Sequence, residues 1–207
     1  MGGGRTPYGS ETRGMRGFIQ RVLLAGAVAS AFAAPARAED AAGVQSKVDA
    51  AMKSVKSFVV TTLYPAQAYS STFVYVAPDR TRTAVAIAAN TTDVVTVDGT
   101  SYSSKNGAPY EKAPLTPEQI ARVRAAGSVK VTVLHPDVVV DGVTYGTFDT
   151  TVPLGAEVTL TCNYDKKSFR LARCSNADVT QTYKSYDDPK NTIDAPTNFV
   201  DAPKDVK

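Results

Sequence analysis

The sequence has no tryptophan, one histidine and two cysteines in 207 residues. With only His135, no metal centre built on several histidines is possible, and a Ser/His/Asp triad could be assembled only around that one ring. His135 precedes Pro136 at a strand or loop edge, where a solvent-facing or hydrogen-bonded imidazole is the ordinary role. The glycines form no GxGxxG or GxxxxGK run, so no nucleotide cradle is expected. Asp187 and Asp188 could chelate Ca²⁺ or act as an acid–base pair, but adjacent carboxylates before Pro189 are ordinary turn chemistry. The inventory therefore predicts no enzyme, no catalytic residues, no metal and no cofactor.

A long apolar run is also missing. The uncharged stretch Val22 to Ala34 is 13 residues, and a bilayer core needs roughly 20. Arg16 and Arg21 precede it and Ala36-Arg37-Ala38 follows, the n-region, h-region and small-residue cleavage site of a secretory signal. Residues 1–38 are accordingly expected to be an N-terminal extension plus a signal cleaved before Glu39, with Met15 standing where a normal signal would begin. No cysteine lies near the cleavage point, so no lipid anchor is expected, and the predicted location is the periplasm. Removing this segment leaves 18 basic and 19 acidic residues, a net charge of −1, which disfavours nucleic-acid binding through a basic surface.

In an oxidising compartment Cys162 and Cys174 are expected to pair. Their flanks, Val158 to Cys162 and Phe169 to Cys174, read as two strands around Asp165-Lys166-Lys167-Ser168. The bridge would staple a hairpin and contribute roughly 3 kcal/mol for a ring of that size.

Val44, Val48, Met52 and Val55 recur at helical spacing and predict one amphipathic helix over residues 42–56. From Ser57 the period becomes two, with β-branched and aromatic residues at 58–62, 72–76 and 83–88. Both alternating sets of the second of these strands are apolar, so each sheet face there needs a cover. Asp98-Gly99, Asn106-Gly107 and Asp141-Gly142 predict three I′ hairpin turns. Thr116, Pro117 and Gln119 form a capping-box signature for a second helix over 117–126, with Gly127 suited to end it. Strands resume at 130–134 and 138–140 and run on to Val179–Tyr183. The prediction is one antiparallel α+β domain over 39–202, with about ten strands and two helices, and a disordered tail at 203–207. A curved sheet with a helix on one face can enclose an apolar cavity, or its aromatic residues can fill a solid core.

The order of features is informative: a signal, an amphipathic helix, Phe73-Val-Tyr-Val-Ala-Pro78-Asp-Arg80-Thr-Arg82, then Val97-Asp-Gly-Thr-Ser-Tyr102 and Tyr110-Glu-Lys112-Ala-Pro114. With Asp165 to Arg170, Val179 to Tyr186 and Ile193-Asp-Ala-Pro196 closing the chain, it resembles the LolA-like family of periplasmic outer-membrane lipoprotein carriers. That resemblance implies an open, half-closed antiparallel β-barrel with covering helices, residues 117–126 forming part of a lid, and an apolar cavity for acyl chains. It further implies a monomeric, soluble periplasmic carrier whose partners are a lipid or lipoprotein acyl chain and donor and acceptor proteins of the inner and outer membranes. The alternative function is a lipid-sensing or regulatory module of the envelope. The expected cavity residues are Phe58, Phe73, Tyr75, Ile87, Tyr102, Ile120, Val123 and Tyr145, with Arg80 or Arg82 at the mouth for a headgroup. The chain departs from such carriers in lacking tryptophan and in carrying a disulfide in its C-terminal hairpin.

Overall fold

The computed structural model describes residues 39–153 and 157–202. The expected signal at 1–38 and the expected tail at 203–207 lie outside the described residues.

The helix α1 (Ala41–Ser54) starts where Asp40 caps it, its carboxylate accepting from the Gly43 amide at 2.7 Å, and it buries Val44, Val48 and Met52. Those positions lie one turn apart, so a single stripe faces the sheet. Six strands follow: β1 (Ser57–Tyr64), β2 (Tyr69–Val76), β3 (Arg80–Ile87), β4 (Asn90–Val97), β5 (Thr100–Lys105) and β6 (Tyr110–Pro114). After α2 (Pro117–Arg124) come β7 (Val133–Val140), β8 (Val143–Pro153), β9 (Glu157–Asp165), β10 (Leu171–Ser175), β11 (Thr180–Lys184) and β12 (Phe199–Asp201). Among the described residues the count is twelve strands rather than about ten. One strand that local pattern does not signal is β12, three residues in a proline-bearing segment, held by parallel pairing to the distant β6.

All twelve strands form one mostly antiparallel sheet in the order β12-β6-β5-β4-β3-β2-β1-β11-β10-β9-β8-β7, which does not close into a barrel. The meander β1–β6 and the meander β7–β11 meet at the antiparallel pair β1 and β11, where Val60 lies opposite Tyr183. The three turns predicted as type I′ hairpins are present, with positive φ at both central residues: 50° and 76° at Asp98-Gly99, 52° and 76° at Asn106-Gly107, and 50° and 76° at Asp141-Gly142. Such backbone twist matches that of the flanking strands, and Asx-Gly adopts it with least strain.

Pairing register assigns every strand residue to a face, because opposed residues share one and neighbours along a strand alternate. The first face carries Phe58, Val60, Tyr75, Phe148, Leu160, Cys162, Leu171 and Cys174, and together with the apolar stripe of α1 these make the main core. A second, smaller core lies on the opposite face, where Val95, Val97 and Tyr102 bury Ile193 from the C-terminal segment. The two apolar faces read from residues 72–76 therefore have two different covers. Cys162 and Cys174 are bonded and sit opposite each other on β9 and β10, wholly buried. On β8, Gly146 lies opposite Tyr164, and the tyrosine ring occupies the space that a Cβ at residue 146 would need.

The β9–β10 turn is tied by one carboxylate. Asp165 accepts from the Ser168 amide at 2.7 Å, the Lys167 amide at 2.9 Å and the Ser168 hydroxyl at 3.0 Å. The hydrogen bond from the Ser168 amide is the main reason its pKa lies below the ordinary carboxylate value, and partial burial opposes the shift without reversing it. A depressed folded-state pKa stabilises the protein above the unfolded-state value and is lost as pH falls through the folded one. The denaturation midpoint of Asp165→Asn in urea is therefore expected to lie below the parent's at pH 7, with the gap closing as pH falls below about 4. A gap independent of pH would show that the carboxylate charge does not hold this turn.

Candidate functional site: an aromatic recess beside the second helix

Phe58 is the hub of an aromatic cluster. The rings of Phe73, Tyr75, Tyr183 and Tyr186 lie 6.1, 5.2, 6.2 and 6.1 Å from it, centroid to centroid. Strand order explains the convergence, since β1 sits between β2 and β11 and pairs Phe58 with Tyr75, and Val60 with both Phe73 and Tyr183. The Tyr75 hydroxyl donates to the Pro78 carbonyl at 3.2 Å and that of Tyr186 to the Leu171 carbonyl at 2.7 Å. Burial pushes the Tyr183 hydroxyl up to about 12 and that of Tyr186 higher still, so both phenols are neutral at physiological pH.

Against this cluster lies an open recess of about 200 Å³, walled by Phe58, Val60, Thr62, Phe73, Gln181 and Tyr183 and bordered by Ala126 and Gly127 of the connection that follows α2. None of these side chains carries a charge. Gly127 has φ +83°, and a Cβ there would stand 3.0 Å from the Met52 methyl and 3.2 Å from the Phe58 ring. The connection thus runs directly over the aromatic floor, and only a residue without a side chain lets it do so.

The second helix is attached lightly. Its capping box is formed as the sequence predicts, with Gln119 accepting from the Thr116 amide at 2.7 Å and the Gln119 amide donating to the Thr116 hydroxyl at 3.3 Å. The helix ends at Arg124, earlier than residue 126, and Gly127 forms its left-handed turn in the connection. None of its residues is buried, and its one ion pair among the described residues joins Arg124 to Asp79 at 3.2 Å. A shallow, largely apolar hollow of about 660 Å³ lies along it, lined by Ile120, Ala121 and Ala125 and flanked by Lys53 of α1.

Of the expected cavity residues, Phe58 and Phe73 wall the recess, Tyr75 packs buried against Phe58, and Ile120 and Val123 are half-buried on α2, with Ile120 lining the hollow beside that helix. The others lie elsewhere. Ile87 ends β3 and is exposed. Tyr102 lies opposite Val95, which lies opposite Arg82 and through it Val74, so all four are on the far face, where Tyr102 belongs to the smaller core. Tyr145 is on the far face as well, two residues from Thr147 in a register that puts Phe148 on the near one. Arg80 and Arg82 likewise point away from the recess; Arg80 donates to the Ile193 carbonyl at 3.3 Å, and Arg82 grips Asp93 through two bonds of 3.1 and 2.9 Å. They do not stand at the mouth of a cavity around Phe58. Val60 and Thr62 share the Phe58 face of β1, and Gln181 and Tyr183 join them only through the β1–β11 pairing.

The other candidates make contacts away from the recess. The His135 ring is 2.9 Å from Asp149, whose second oxygen accepts from the Thr161 hydroxyl at 2.8 Å. Asp187 accepts from the Lys56 amide and pairs with Arg170, each at 2.7 Å, while Asp188 accepts from the Lys190 amide at 2.9 Å, which is turn chemistry. Among the described residues no group of three His, Cys, Asp or Glu side chains converges, and no helix is long and apolar enough to cross a membrane.

No family model and no curated protein matches the chain. Among solved structures it is similar to an uncharacterized conserved protein from Thermus thermophilus, at 9% identity and a TM-score of 0.44, over 79% of this chain and 99% of that one.

Proposed function

We propose that the chain is a periplasmic carrier that binds a lipid acyl chain between the aromatic face of the sheet and the α2 segment, without covalent chemistry. The observation that carries this reading is the uncharged recess walled by Phe58 and Phe73 and bordered by the connection after α2. At about 200 Å³ it is smaller than the roughly 300 Å³ at which small-molecule sites begin. Binding a whole chain therefore requires the α2 segment to lift, so that the recess joins the hollow alongside it. The weak attachment of α2 favours this, because a helix with no buried residue resists displacement little. Each methylene buried would contribute about 0.8 kcal/mol, so a partly accommodated tail gives useful affinity. In the same reading the open sheet is the half-barrel of a lipid carrier, and the buried disulfide accords with an oxidising compartment.

The test is binding of a fluorescent polyene fatty acid to the full protein. Phe73→Glu places a carboxylate in the wall of the recess at a half-buried position, and binding is expected to weaken at least about tenfold, the equivalent of 1.4 kcal/mol, with the far-ultraviolet circular dichroism unchanged. A parent protein that ignores the probe, or a variant that binds it equally well, would end the carrier reading.

A further inference from the structure

On the opposite face of the sheet the C-terminal segment forms a bridge. At one end Ile193 is buried in the smaller core, and its carbonyl is held by Arg80. At the other end the Tyr110 amide donates to the Asn198 carbonyl at 3.1 Å, and β12 zips onto β6. Between these anchors the segment 194–197 spans a cavity of about 500 Å³, a volume within the range of roughly 300–1,000 Å³ typical of small-molecule sites.

The floor of this cavity is an ordered polar fork. Asp93 accepts from Nε and Nη2 of Arg82 and also from the Tyr110 hydroxyl at 2.5 Å. That arrangement fixes the guanidinium plane and neutralises its charge, while Nη1 makes no hydrogen bond among the described residues. The phenol donates to Asp93, so the Tyr110 oxygen keeps its acceptor lone pairs. Asp194 and Thr197 bring further polar atoms from the bridge, and Val95 and Pro196 add a small apolar patch. Arg82 also borders an adjoining hollow of about 360 Å³ lined by Ser70, Thr72 and Asp93.

Donors and acceptors are interleaved in this lining, one arginine is matched by nearby carboxylates, and the apolar patch is small. An anion would meet the carboxylates of Asp93 and Asp194, a cation would meet Arg82, and a purely apolar ligand would leave the fork unsatisfied. A sugar hydroxyl donates and accepts at once, and a pyranose also presents a C–H face. We propose that this far-face cleft binds a neutral saccharide, one unit over the Arg82–Asp93–Tyr110 fork and the next in the adjoining hollow. The site is separate from the aromatic recess and does not depend on the carrier reading.

The experiment is titration of the full protein with maltose, cellobiose and diacetylchitobiose, read by amide chemical shifts of Tyr110, Thr197 and Asn198. At least one disaccharide is expected to bind with Kd on the order of 1 mM. Arg82→Lys keeps the charge but removes the planar fork, and it should weaken binding at least about tenfold; Phe73→Glu should leave it unchanged. Equal thermal unfolding of Arg82→Lys and the parent separates loss of the site from loss of the fold, and if that variant is destabilised, Tyr110→Phe, which deletes one hydroxyl, serves in its place. No shift with any of the three sugars, unchanged binding in the fork variant, or tighter binding of inorganic phosphate at the same amides would overturn the assignment.

Discussion

Phe148→Ala is expected to destabilise the protein by about 3–5 kcal/mol, the range for a fully buried phenylalanine that leaves a cavity. Phe148 is 0% exposed on the near face of β8, opposite Leu134 on one side and Cys162 on the other. The Tyr164 ring stands 5.9 Å away, and the stripe of α1 belongs to the same core. The strands on either side are sheet backbone held in register by its own hydrogen bonds, so the space cannot collapse by moving one side chain. Urea unfolding of the parent, Phe148→Leu and Phe148→Ala should give a graded series. A loss below about 1 kcal/mol for the alanine variant would mean that α1 does not pack on this part of the sheet.

Loss of the disulfide should be felt almost as strongly. Replacing both Cys162 and Cys174 by alanine is expected to remove about 2–5 kcal/mol, the usual loss for a native bridge in a small domain. The bridge closes a short ring, so the entropic part is modest. The two sulfurs also fill space in the main core, where Cys162 is 0% and Cys174 1% exposed, and their loss adds a packing deficit to the released chain entropy. Burial in the main core carries a kinetic consequence: a thiol reductant cannot reach either sulfur in the folded protein. Reduction by dithiothreitol under native conditions should therefore proceed at the rate of unfolding, independent of reductant concentration once that is high. A rate that rises in proportion to reductant would show that the bridge is reached without opening the core.

Features set by neighbours along the chain could be read from the sequence. The three Asx-Gly turns, the stripe of α1, the capping box of α2 and the hairpin around Asp165 each need only a few consecutive residues, and each is present. What could not be read depends on which strand lies next to which. Alternation shows that Arg82 and Thr83 face opposite ways, but it does not say which of them shares a face with Phe58; that is settled only by the pairing of β1, β2 and β3. The same ambiguity misplaced Tyr102 and Tyr145, both aromatic and both on strands, but on the far side. Ile87 shares the Phe58 face but ends β3, where it is exposed. The recess has no local signature, because Tyr183 and Gln181 stand more than a hundred positions from Phe58 and no local pattern records that they meet.

The seam between β1 and β11 has a consequence for how the molecule is made. The first strand gains its second neighbour only when residues 180–184 arrive, so until then the chain holds an unsatisfied row of amides and carbonyls beside Phe58. Long-range closure of this kind is slow, and the waiting chain is prone to sticking to its neighbours. Shortening the protein from its end past residue 180 should accordingly yield aggregates rather than a smaller soluble fold.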